Sequence, residues 1–207
     1  MTGFQKNTSF VLRTFFPFIL FLYTFNGFAQ CNYDIVDYDF ANNKVYLESG
    51  PFTLDILESA LSGRIVLAKI IRDQNNYFID LEITQDSNCE KLKPICFKKG
   101  SRLGLLLKNN QIVTLVQLKA KLCGLSKKTK DGYHTVSNYA RFVITQDAYN
   151  ALIKEEILLM KIISEAYTRQ FVLKSEIEEE VNGEFIITKP TRFFMDNINC
   201  ITNPQVD

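Results

Sequence analysis

Tyr77-Phe78-Ile79-Asp80-Leu81-Glu82-Ile83-Thr84 is the most regular stretch of the chain. Tyr77, Ile79, Leu81 and Ile83 recur at every second position, so a strand sets all four on one face and leaves the carboxylates on the other. Upstream, Arg64 to Ile71 carries Ile65, Val66, Leu67, Ile70 and Ile71, and Asp73-Gln74-Asn75-Asn76 parts the two runs. Together they predict a β-hairpin with a polar tip.

The same signal recurs outward from this hairpin. Leu103 to Leu107 and Ile112 to Leu118, separated by Lys108-Asn109-Asn110-Gln111, predict a second hairpin. Lys44-Val45-Tyr46-Leu47-Glu48 reads as a short strand closed by the turn signal Ser49-Gly50-Pro51, and Arg141 to Ile144 as another. Thr145 is placed to cap a helix bearing Ala148, Ala151 and Leu152 and ending near Glu155 and Glu156. Ile157 to Ile163 fits either a continuation of that helix or a strand. Its alternation, with Phe171-Val172-Leu173 beyond a polar break, favours a hairpin. Gly183 to Thr188 predicts a last strand. Pro190 suits the first turn of a helix whose Phe194, Ile198 and Ile201 share one face. The expected fold is mostly β, a β-sandwich or an open antiparallel sheet, with one or two short helices packed on it; α+β is the alternative.

Residues 1–29 read differently. Lys6 and Arg13 are their only charges, and Phe15, Phe16, Phe18, Ile19, Leu20, Phe21, Leu22 and Tyr23 dominate the run from Thr14 to Phe25. Small residues, Gly27 and Ala29, precede a cut before Gln30, the pattern of a cleaved export signal. The apolar run is shorter than the roughly 20 residues a membrane-spanning helix needs, and Pro17 interrupts it. Once the signal is removed, no transmembrane segment is expected. Cleavage leaves 178 of the 207 residues and takes two of the 24 basic and none of the 23 acidic side chains, for a net charge of −1. With no Pro/Gly/Ser-rich linker and no repeat, residues 30–201 are expected to form one β-rich domain and 202–207 a C-terminal tail. The expected location is periplasmic or secreted. The alternative is a lipoprotein anchored through Cys31, against which the bulk of Gln30 counts.

All five cysteines, Cys31, Cys89, Cys96, Cys123 and Cys200, follow the signal. Exported chains meet oxidants, so disulfides are expected. Cys89 and Cys96 are the favoured pair, close in sequence with Pro94 between them. A second bridge would come from Cys31, Cys123 and Cys200. Zinc-type spacing is absent.

Candidate chemistry is sparse. Cys123 with His134, the one histidine, would form a nucleophile and base only with a free thiol. Asp34, Asp37 and Asp39 with Asn42 and Asn43 supply oxygens of the kind calcium takes, without the calcium-loop pattern. Asp37 and Asp39 would share one face of a strand, as on a solvated edge. Glu176, Glu178, Glu179 and Glu180 precede the turn signal Asn182-Gly183 and read as a solvated loop. Lys119, Lys121, Lys127, Lys128 and Lys130, near Tyr133 and Tyr139, form a basic stretch. On a chain of net charge −1 that stretch suits a flexible loop or an anionic glycan better than nucleic acid. Phosphate-binding glycine loops, Gly-x-Ser-x-Gly, His-Glu-x-x-His and Cys-x-x-Cys are absent. No catalytic, cofactor-binding or metal residue is assigned, and no cofactor is expected.

The signal ending Phe28-Ala29-Gln30, then Cys31, an acidic stretch and a β-rich body form one pattern. Phe142-Val143-Ile144-Thr145-Gln146-Asp147 opening a short helix and the closing Phe194-Met195-Asp196-Asn197-Ile198-Asn199-Cys200-Ile201 complete it. The pattern resembles small exported proteins of Bacteroidetes-type bacteria, especially flavobacteria. That group carries no assigned activity, so the resemblance implies the compartment and a β-rich fold and no functional residue. The function expected is a non-catalytic envelope protein that binds a protein or a surface glycan. The alternative is a small hydrolase of envelope polymers, which requires carboxylates distant in sequence to meet in a pocket.

Overall fold

The computed structural model describes residues 33–202 apart from Phe40, Asn43, Glu90, Lys119, Lys130, Asp131 and Asn182. Residues 1–32, with the expected signal and Cys31, and residues 203–207 of the expected tail lie outside the described residues.

Three long strands make the spine. β4 (Ser62–Asp73) and β5 (Asn76–Ser87) form the expected hairpin, with Asp73 opposite Asn76. Gln74, the first residue of its two-residue turn, takes a positive φ of 57°. β11 (His134–Ile144) pairs antiparallel with β5 from end to end. Val66, Ala68 and Ile70, Ile79, Leu81 and Ile83, and Ala140 and Phe142 all turn to one side and are buried there. Each fully buried aliphatic side chain contributes about 1.5–3 kcal/mol relative to exposure.

Shorter strands share the outer edges of this spine. β3 (Phe52–Glu58) lies along Gly63–Ala68 of β4, and β2 (Lys44–Ser49) along Ile71–Asp73 of the same edge. Gly50 and Pro51 break the two apart. β1 (Tyr33–Asp39) adds beyond β2. On the far edge of β11, β10 (Leu125–Lys128) pairs with His134–Ser137, and β8 (Ile112–Val116) meets it at Val143. β7 (Arg102–Leu107), β12 (Ile157–Ile163) and β13 (Thr168–Val172) continue the sheet in the order β8-β7-β12-β13. Strands take 59% of the structure and the sheet does not close into a barrel, which decides for a mostly-β fold with an open antiparallel sheet. The sheet nonetheless folds over its own core: the Arg64 guanidinium on β4 sits 5.0 Å from the Phe171 ring centre on β13.

Two small two-stranded sheets complete the β structure. β6 (Cys96–Phe97) pairs with β9 (Leu122–Cys123), and β14 (Ile177–Val181) with β15 (Glu184–Thr188). The glutamate run is therefore a strand and not the expected loop. Pairing with Phe185, Ile186 and Ile187 and the bond from Thr53 Oγ1 to Glu179 (2.9 Å) hold it extended. The basic stretch, expected as a flexible loop, also forms strands where it pairs with β6 and β11.

α1 (Gln146–Leu152) starts as expected, with the Thr145 hydroxyl accepting the Ala148 N–H at 3.3 Å. It stops at Leu152, short of Glu155, and Ile157–Ile163 is a strand. Pro190–Arg192 is a 3₁₀ turn leading into α2 (Phe193–Thr202), so the last helix includes Thr202. α2 buries Phe193, Phe194, Ile198 and Ile201. Phe193 packs 5.0 Å from Phe52, and Tyr33 on β1 donates to the Cys200 carbonyl at 2.7 Å.

One buried polar side chain ties the spine to the loop before β6. Asn138 is fully buried; its Oδ1 accepts the Ile95 N–H (2.7 Å) and its Nδ2 donates to the Ile83 carbonyl (3.1 Å). Gly124 lies against it: a Cβ there would land on Asn138 Oδ1 and 2.8 Å from the Ser137 carbonyl oxygen. Only a residue without a side chain fits this approach.

Candidate functional site

Because Ile79, Leu81 and Ile83 face the core, Asp80, Glu82 and Thr84 face outward. The register then builds cross-strand rows on the outer face. Lys69, Asp80 and Arg141 lie side by side, as do Leu67, Glu82 and Tyr139, and then Ile65, Thr84 and Ser137.

These side chains bond to one another. Arg141 grips Asp80 through two parallel hydrogen bonds, and its guanidinium lies 5.7 Å from the Phe78 ring centre. Lys69 Nζ sits between Asp34 Oδ2 (2.7 Å) and Glu48 Oε1 (2.9 Å). The Tyr46 hydroxyl donates to Glu48 Oε2 at 3.0 Å. The Tyr139 hydroxyl donates to Glu82 Oε1 at 3.1 Å, and the Thr84 hydroxyl reaches the same oxygen at 3.2 Å. Charge shifts follow from these contacts. The bonds to Asp80 raise the Arg141 guanidinium. Burial works to lower the Lys69 ammonium, but its bonds to Asp34 and Glu48 together outweigh it, and the net shift is upward. Burial, then the neighbouring glutamate, raises the Tyr46 and Tyr139 phenols.

Glu48, Lys69, Asp80, Glu82, Tyr139 and Arg141 line a concavity of about 450 Å³, with Leu67, Pro51 and Leu122 as its apolar wall. That volume is within the range of small-ligand sites. Carboxylates far apart in sequence thus meet in one pocket, but Asp80 and Glu48 are held by cations and Glu82 by two hydroxyls.

The residues singled out from sequence fall elsewhere. Cys96 is bonded to Cys123, not to Cys89. Antiparallel pairing of β6 with β9 makes Cys96 and Cys123 direct partners with Cα atoms 4.0 Å apart, whereas Cys89 is a free, exposed thiol. Cys200 is also disulfide-bonded. With its thiol in that disulfide, Cys123 offers no nucleophile to His134, which lies between Ser87 and Lys128 on the paired strands. Asp34, Asp37 and Asp39 are spread along β1. Asp34 turns to Lys69, and Asp39 accepts from Asn42 at 2.7 and 3.2 Å. Asn43, Lys119 and Lys130 lie outside the described residues. Among the described residues no group of three or more His, Cys, Asp or Glu converges to hold a metal, and no helix is long and apolar enough to cross a membrane.

The residues of the concavity were visible in sequence only as the polar half of each alternation. Which of them meet depends on register, which pattern alone does not give. No protein family matches the chain, and neither a curated protein nor a solved structure is significantly similar to it.

Proposed function

We propose that this is an exported, non-catalytic module of the cell envelope that binds a neutral surface glycan in the concavity on the outer face of β4, β5 and β11. The observation that carries the reading is the set of planar, mutually bonded polar groups beside an accessible ring. Tyr139 is 41% exposed and offers that ring to the apolar face of a sugar. Arg141, Asp80, Glu48 and Glu82 are already fixed by their partners, so they present donors and acceptors with little further ordering cost. Charges lining the pocket nearly cancel, three carboxylates against Lys69 and Arg141. A hydroxyl-rich neutral ligand can use both signs, whereas a strongly charged one gains little. Export is supported by the signal-type segment, the resemblance to exported bacterial proteins and cysteines held in disulfides.

The test is calorimetric titration of soluble fragments of the host's own surface polysaccharide into wild-type protein and into Tyr139→Ala and Arg141→Gln. Binding by wild type that falls about tenfold or more in each variant, with melting temperature retained, supports the reading. Absence of binding across the host's neutral polysaccharides refutes it. A hydrolase remains the second reading, because Glu48, Asp80 and Glu82 share the pocket. New reducing ends released by wild type and abolished by Glu82→Gln would establish it in place of the first.

A further inference from the structure

The β14–β15 hairpin is a sheet of its own, tied to β3 on one face by the bond from Thr53 to Glu179, with its strands paired only with each other. One of its faces is fully exposed. Register puts Glu180 opposite Phe185 and Glu178 opposite Ile187, and Phe185 and Ile187 are 70% and 61% exposed. Two acids on one strand thus flank two large apolar side chains on the next. An isolated two-stranded hairpin is marginal in water, and an uncovered apolar strand is a site where another chain adds on.

A matching surface lies on other strands of the chain. The outer face of β7, β8 and β12 holds a groove of about 390 Å³ in which Leu106, Ile112, Leu159 and Ile163 are joined by Arg102 and Lys161. Ile112 is 70% exposed. Arg102 and Lys161 have no carboxylate partner among the described residues, and neither have Glu178 and Glu180.

Spacing agrees as well as sign. Glu178 and Glu180 are two residues apart on one strand, about 7 Å. Arg102 pairs with Ile163 and Gly104 with Lys161, so the two cations are diagonal neighbours, roughly 7–8 Å apart. In the groove the apolar end, Leu106, Ile112 and Leu159, lies further along the strands than the cations. In the hairpin the apolar strand lies beside the acidic one. Setting the acidic pair along the cation diagonal, one strand across and two residues along, has the hairpin cross the groove strands at roughly 35°, close to the aligned mode of sheet packing.

We infer that the chain self-associates head to tail, the Glu178/Glu180/Phe185/Ile187 face of one copy seated on the Arg102/Lys161 groove of the next. The contact joins two different patches, so it leaves one of each free and propagates beyond a dimer. This surface is separate from the glycan concavity, and the inference does not depend on it.

Sedimentation velocity of the chain, purified as its host processes it, tests the inference over a concentration series. Wild type is expected to grow in mass with concentration. Glu178→Lys with Glu180→Lys, and separately Arg102→Glu with Lys161→Glu, each set like charges in contact and weaken association by roughly tenfold or more. An equimolar mixture of the two double variants restores opposite charges at every contact, so assembly returns. Phe185→Ser, which leaves the charges alone, is expected to weaken association too, with an unchanged circular dichroism spectrum. A wild type that stays monomeric at every concentration overturns the inference. So do double variants that assemble like wild type, or a mixture that stays monomeric.

Discussion

Replacing Asn138 by Ala tests how the spine is tied to the segment that follows it. The side chain makes two buried hydrogen bonds, from the Ile95 N–H and to the Ile83 carbonyl. Truncation leaves a buried donor and a buried acceptor without their partner. An orphaned buried group costs about 1–3 kcal/mol, the carbonyl less than the N–H. The sum is about 2–4 kcal/mol, which lowers the melting temperature by roughly 5–15 °C in a chain of this size. Asn138→Asp keeps the shape but exchanges a donor for a buried negative charge facing the Ile83 carbonyl. Burial raises the carboxyl above its unfolded value of about 4, so its proton is held more tightly in the folded state. The added cost is absent at lower pH and grows as pH rises through about 4 to the folded value. Thermal melts under oxidising conditions, from pH 3.5 upward in steps of about one unit, read both effects. A Tm for Asn138→Ala within about 2 °C of wild type, or a pH-independent deficit for Asn138→Asp, would refute this account of the site.

Three further predictions concern the cysteines and the tyrosines. Cys96→Ser removes a link that spans 27 residues, and is expected to cost about 3–4 kcal/mol in urea denaturation. In the native oxidised protein, alkylation followed by mass spectrometry should label Cys89 alone among the described cysteines. Burial, the largest cause in each case, raises the phenols of Tyr33, Tyr46, Tyr139 and Tyr167 above the ordinary 10.0. Their folded forms hold the proton more tightly than the unfolded chain does. The stability this confers is complete below pH 10 and is lost as pH rises through the folded values. Tyrosinate absorbance should therefore appear at higher pH in the folded than in the urea-unfolded protein, and coincident titrations would contradict the prediction.

Much of the fold could be read from alternation because one side of each long strand is apolar. Tyr77–Thr84, Leu103–Leu107 and Ile157–Ile163 show it, and all three are strands. Phe52–Glu58 escaped although Phe52, Leu54 and Ile56 alternate with Thr53 and Asp55, because the run is short and follows directly on the turn signal Gly50-Pro51. Glu178-Glu179-Glu180 escaped because glutamate disfavours strands on its own, and only the partner strand and Thr53 hold it extended. The disulfide was misassigned for a related reason. Nearness in sequence suggested Cys89, but strand pairing chose Cys123. The concavity depends on register among three strands as far apart as Lys69 and Arg141, and no local signal encodes that.

The Cys96–Cys123 link also bears on how fast the spine is completed. β4 and β5 meet through a two-residue turn, but β11 must find β5 across 47 residues, from Ser87 to His134. Both cysteines lie inside that stretch, and their bond bypasses 27 residues of it. The loop to be closed shrinks to about 20 residues, a little more than one halving, worth about 0.7 kcal/mol of closure entropy. By that closure entropy alone, a chain oxidised early is expected to bring its third long strand to β5 roughly threefold more readily than a reduced one.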